Sequence, residues 1–83
     1  MKVYVYSTDT CRFCTMLKNW LIENRVTFIE KDIVNDSQAL HEFNKFQERA
    51  TPLIIFKNES EEIIKKIVGF NKGELTKELS IQE

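Results

Sequence analysis

Cys11-Arg12-Phe13-Cys14 holds both cysteines of the chain. Two thiols at this spacing fit the minimum parts of a thiol–disulfide exchanger: one sulfur attacks a disulfide, and its neighbour resolves the mixed disulfide that forms. The attacking sulfur must be ionised near neutral pH, and the flanking residues favour this. The apolar run Val3-Tyr4-Val5-Tyr6 reads as a strand, and Ser7-Thr8-Asp9-Thr10 turns the chain out of it. Cys14, Leu17 and Leu21 then recur at three- and four-residue intervals, as one helix face requires. Cys11 therefore falls at a helix N-terminus, where unpaired N–H groups and the macrodipole favour the thiolate. Bringing a thiol from a pKa of ~8.5 to about 7 stabilises the anion by roughly 2 kcal/mol. Asp9 opposes that ionisation by its charge.

Other readings of the same two cysteines are a buried structural pair or half of a zinc site. Zinc would need two further ligands from a second chain, because His41 is the only histidine. A four-residue CxxC ring restrains little of the unfolded chain, which argues against a mainly structural bridge. Arg12 reads either as a solvated side chain or as a charge that steadies the thiolate and attracts an acidic partner. Phe13, between the two cysteines, reads as an apolar rim for a partner.

The elements that must position this pair follow β-α-β-α-β-β-α. The first helix is expected over about Cys11 to Glu23. A second strand, Val26 to Ile29, turns charged at Glu30-Lys31-Asp32, which suits a sheet edge. Asn35-Asp36-Ser37 offers N-caps for a second helix through about Gln47, with Leu40, Phe43 and Phe46 at helical spacing. Leu53-Ile54-Ile55-Phe56 reads as a central strand, Asn58 to Glu61 as a hairpin loop, and Glu62 to Val68 as the last strand. Gly69 breaks that strand, and Leu75 and Leu79 form the buried side of a short third helix. Met16, Trp20 and the first-helix leucines are expected to pack against the sheet or a neighbouring surface. The fold class is α/β: a four-stranded mixed sheet flanked by three helices, first and third strands in the middle, first and second parallel, and the closing hairpin antiparallel. Sites in open α/β sheets form beyond the carboxyl ends of the parallel strands, which is where Cys11 falls.

The 83 residues suffice for one domain, 1–83, and 42% hydrophobic residues allow a core without cross-links. Twelve basic and thirteen acidic side chains, a net charge of −1 without a long block of either sign, make nucleic acid and anionic membrane poor partners. The N-terminus does not read as a signal peptide, and no stretch is long enough to span a bilayer. Two cysteines and no export signal point to a reducing cytoplasm, where CxxC pairs are catalytic or metal-binding. A monomer is expected.

With the CxxC after the first strand, Thr51-Pro52 before the third and Val68-Gly69-Phe70 after the fourth, nearly the whole chain resembles the glutaredoxins and NrdH-type redoxins of the thioredoxin-fold superfamily. The resemblance implies a cis Pro52, with Thr51 offering backbone groups to an extended substrate beside the sulfurs. Glutaredoxins commonly carry Cys-Pro-Tyr-Cys, a Lys three residues before the first Cys, and a Gly-Gly-Cys/Ser-Asp-like segment that holds glutathione carboxylates. Here Arg12 replaces that Pro, Thr8 the Lys, and Gly69-Phe70-Asn71-Lys72 the last segment. NrdH-type redoxins often have a Gly-Phe pair there, which Gly69-Phe70 matches, although their preceding Trp and following Arg-Pro-Asp are missing. The resemblance thus implies a dithiol electron carrier in which Cys11 and Cys14 do the exchange. Arg12, Phe13, Thr51, Pro52, Gly69 and Phe70 are then expected to contact a disulfide-containing protein substrate, and the resemblance implies ribonucleotide reductase as one such partner. Thioredoxin reductase or glutathione restores the dithiol, and no metal or organic cofactor is required. A glutathione-dependent glutaredoxin and a metal or iron–sulfur module shared between two chains remain the alternatives.

Overall fold

Val3 and Val5 lie on one face of the first strand, β1 (Lys2–Ser7), and Tyr4 and Tyr6 on the other, so both faces of the strand carry apolar groups that need covering. In the computed structural model, which describes residues 1–81, each face has its own layer. Val3 and Val5 join Leu17, Leu21, Ile54, Phe56, Ile67 and Leu75, which brings helices α1 (Arg12–Glu23) and α3 (Lys72–Leu79) onto one side. Tyr6 joins Phe43, Leu53 and Ile55 on the opposite side, under helix α2 (Ser37–Lys45). Leu17 and Leu21 are fully buried, and each such side chain contributes roughly 1.5–3 kcal/mol.

The remaining strands are β2 (Ile29–Asp32), β3 (Leu53–Lys57) and β4 (Ile63–Val68), and the sheet order is β2-β1-β3-β4. β1 pairs with β2 in parallel and with β3 antiparallel, and the β3–β4 hairpin is antiparallel. This is the mixed sheet expected from the sequence, with its two most apolar strands in the centre. The hairpin loop is closed by Asn58, whose Oδ1 accepts the N–H groups of Ser60 and Glu62, both at 2.9 Å. On the outer strand β4, Ile63, Ile64, Lys65, Lys66 and Val68 are exposed and only Ile67 is buried. No helix of the described residues is long and apolar enough to cross a membrane.

Three local expectations are corrected. The second strand is not Val26 to Ile29 but Ile29–Asp32, paired in register from Tyr4–Ile29 to Ser7–Asp32. Val26 and Phe28 pack as half-buried side chains against the core cluster between the sheet and helices α1 and α3, leaving the charged residues to make the ladder at a solvated edge. Helix α2 stops at Lys45 with Phe46 as C-cap, and Gln47 turns to a φ of 59°. Its buried face is Ala39 and Phe43, an i, i+4 pair, while Leu40 lies on the exposed side at 41%. Met16, 44% exposed, takes the second of the two places expected for it, on the outer surface of α1 and not against the sheet.

Candidate active site

Cys11 is the N-cap of α1, with extended backbone (φ −86°, ψ 112°), and its Sγ accepts the N–H of Cys14 at 3.1 Å. The role normally taken by a Ser or Asp side-chain oxygen thus falls to sulfur. Thr8, whose carbonyl accepts the Cys11 N–H at 3.4 Å, and the turn after β1 set the entry of the chain into the helix. Cys11 and Cys14 are joined as a disulfide, with their Cα atoms 5.1 Å apart, well within the range that such a bond needs. Cys14 is fully buried, whereas Cys11 is half-buried. The outer sulfur is therefore the one within reach of a partner.

Thr51 and Pro52 lie beside this pair. The Thr51-Pro52 peptide is cis, the form implied by the family resemblance, and the Thr51 carbonyl oxygen is 3.6 Å from Cys11 Sγ. The Pro52 carbonyl accepts the Gly69 N–H at 2.8 Å, tying the end of β4 to the start of β3. Gly69 has a φ of +86°, and a Cβ placed there would meet nothing within 4 Å, so its glycine is required by backbone conformation and not by crowding. Arg12 and Phe13 occupy the first turn of α1 and are exposed, Phe13 at 57%.

The structure therefore brings Cys11, Cys14, Thr51, Pro52 and Gly69 to one end of the sheet, with Arg12 and Phe13 on the rim. Phe70 packs against the core of α1 and α3, its ring edge-on to Trp20 with centroids 6.0 Å apart. The Thr51 backbone lies beside the sulfurs, as the family resemblance implies. The Trp20–Phe70 pair escaped the sequence, since it joins residues 50 positions apart. Among the described residues, no group of three or more His, Cys, Asp or Glu side chains is placed to hold a metal ion.

Residues 3–61, which include the CxxC and Thr51-Pro52, match the family model described as Glutaredoxin. The chain belongs to the glutaredoxin family. This glutaredoxin-family chain is similar to the global transcriptional regulator Spx 2 of Bacillus cereus, 36% identical over 56 residues that cover 63% of the chain and 43% of that protein. It thus spans less than half the length of that relative. It is also similar, over 90% of its length and 93% of the relative's, to an uncharacterized glutaredoxin-like 8.6 kDa protein in the rubredoxin operon of Clostridium pasteurianum, at 29% identity. Among solved structures, a mutant of the thioredoxin-like protein BC3987 superposes with a TM-score of 0.81, at 26% identity and covering 98% of this chain and 97% of that one. The NrdH-redoxin of Escherichia coli gives 0.76, with 93% of each chain covered and 16% identity, a likeness of fold. The fold is the thioredoxin fold, and together with the CxxC pair it supports a thiol–disulfide oxidoreductase.

Proposed function

We propose that the chain, as one domain over residues 1–83, is a dithiol electron carrier that reduces protein disulfides, with Cys11 as nucleophile and Cys14 as resolving thiol. The observation that carries this reading is the sulfur of Cys11 at the head of α1, taking the Cys14 N–H at 3.1 Å while bonded to the Cys14 sulfur. In the dithiol form that N–H and the helix N-terminus favour the anion at Cys11. The Cys11 thiolate attacks one sulfur of the substrate disulfide, forming a mixed disulfide and releasing the other sulfur as a thiolate that takes up a proton. Cys14, losing its proton, then attacks the Cys11 sulfur, releasing the second substrate thiol and leaving the Cys11–Cys14 disulfide. Two electrons pass from the dithiol to the substrate. A reductase or a thiol must return them.

Thr51 offers an extended substrate its backbone beside the sulfurs, as in strand addition. Gly69-Phe70, in place of the usual glutathione-binding segment, and Thr8, in place of a lysine, support an NrdH-like carrier reduced by thioredoxin reductase. Ribonucleotide reductase is then a fitting acceptor by family resemblance, and the cytoplasm a fitting compartment. The deciding experiment follows recovery of the oxidised protein with NADPH and thioredoxin reductase against recovery with glutathione. Recovery with the reductase is expected, with Cys14→Ser accumulating a mixed disulfide visible by mass and Cys11→Ser forming none. Recovery with glutathione alone would make the chain an ordinary glutathione-dependent glutaredoxin. Metal or visible absorbance travelling with a dimer would instead support a cluster shared through the cysteines.

A further inference from the structure

One flank of α1 stays apolar where it faces solvent. Leu17 and Leu21 point into the core, but Phe13, Met16 and Trp20, at i, i+3 and i+7, form a second stripe on the outer side, with Phe13 57% and Met16 44% exposed. The stripe runs from between the two cysteines to a shallow hollow of about 250 Å³ lined by Met16, Asn19, Trp20, Glu23, Phe70 and Lys72. Trp20 and Phe70 build it as an edge-on aromatic pair, and Lys72 holds its ammonium 5.8 Å from the Phe70 ring centroid. Phe70, in the floor of the hollow, directly follows Gly69, whose N–H is held by the Pro52 carbonyl next to Thr51.

We propose that this hollow anchors the protein disulfide substrate, taking an aliphatic or aromatic side chain a few residues from the reacting cysteine, with a carboxylate beside it for Lys72 and Arg12. The inference rests on the dithiol-carrier reading above. Its spacing follows from the helix: seven residues from Phe13 to Trp20 span roughly 10 Å, which an extended peptide covers in about three residues. Its charge follows from two cations against one carboxylate, with Lys72 over the aromatic floor and Arg12 exposed at the cysteine end of the stripe, while Glu23 lines the hollow at its other end. A substrate is favoured over a second copy of the chain because anything seated along this stripe from Phe13 also lies over the exchange site. A self-contact would cover the sulfurs.

The test uses the pre-reduced full chain and three synthetic peptides, each a mixed disulfide with thionitrobenzoate on the same cysteine. One carries Leu three residues from the cysteine with Glu beside it, one has Ser for Leu, and one has Lys for Glu. The Leu–Glu peptide is expected to react about tenfold faster than the Ser peptide at limiting concentration, a difference of about 1.4 kcal/mol. Met16→Lys should erase the Leu preference. Lys72→Glu should turn the Glu preference into a Lys preference, a gain that misfolding cannot produce. Equal rates for all three peptides, with the free thionitrobenzoate disulfide still reduced, would overturn the anchor and leave the dithiol chemistry standing. If even that small disulfide is not reduced, the proposed function fails and the anchor with it.

Discussion

Gly69 shows what a single residue contributes to this site. Its φ of +86° lets β4 end against Pro52, and no neighbouring atom crowds the position. Gly69→Ala should therefore cost about 1–3 kcal/mol through backbone strain alone. Urea unfolding would read that loss, with the dithiol exchange followed in parallel to show whether the Pro52 tie also positions the Thr51 carbonyl. The sequence made Gly69 legible as a break in the last strand because glycine tolerates backbone that other residues avoid. It could not show which carbonyl the Gly69 N–H would meet, because that depends on strands 17 residues apart coming into register. The CxxC was legible for a related reason: both sulfurs lie on one helical turn, so their proximity is local. The Thr51 carbonyl beside Cys11 is non-local, and only the family resemblance of Thr51-Pro52 pointed to it.

At the scale of the element, the caps were easier to read than the strand ends. Asp36 caps α2 by accepting the N–H of Gln38 at 3.0 Å and of Ala39 at 3.3 Å, and Asn71 caps α3 by accepting that of Glu74 at 3.1 Å. Asp36→Ala should lower stability by about 1 kcal/mol, measured as a shift in urea midpoint without a change in slope. Both are short polar side chains acting on their own following residues; Asp36 stood among the expected caps of α2, whereas Asn71 was not singled out for α3. The edge strand β2 was misplaced because Val26 and Phe28 look like strand residues, yet they precede the ladder and pack half-buried against the core cluster between the sheet and helices α1 and α3. The buried side of α2 was misassigned for a similar reason. Leu40 is the larger apolar residue, but the helix turns Ala39 and Phe43 inward. Periodicity identifies a helix more readily than it fixes the angle at which the helix meets the sheet.

Across the whole molecule, a polar link ties three elements on the α2 face. The Tyr6 hydroxyl, on β1, donates to the Glu42 carboxylate of α2 at 3.0 Å, and Lys31 of β2 approaches the same carboxylate at 3.3 Å. Burial first, and then the hydrogen bond to Glu42 and the Glu42 charge, hold the Tyr6 phenol above its ordinary value. Its proton is thus bound more tightly in the folded chain than in the unfolded one. That contribution is complete below the ordinary tyrosine pKa of about 10 and is lost as pH rises toward the folded value. Stability measured in urea should therefore decline above about pH 10, and the phenolate absorbance of Tyr6 should appear together with unfolding. Glu42→Gln removes the carboxylate that raises Tyr6, so it should bring the phenol's ionisation to lower pH. For Glu42 the sign is opposite. Burial pushes its pKa up, but the Tyr6 hydroxyl and Lys31 outweigh that and hold it low, so its contribution is lost in acid.

The open side of β4 has a consequence for how copies of this chain meet. Two such strands laid antiparallel about the centre of Ile63–Val68 would place Lys65 and Lys66 of one against Lys66 and Lys65 of the other. Like charges directly opposite are repelled, and isoleucines that would otherwise favour stacking are kept from adding strand to strand. Silencing both ammonium groups, as acetylation would, removes that barrier and leaves the hairpin a ready template for continuous sheet.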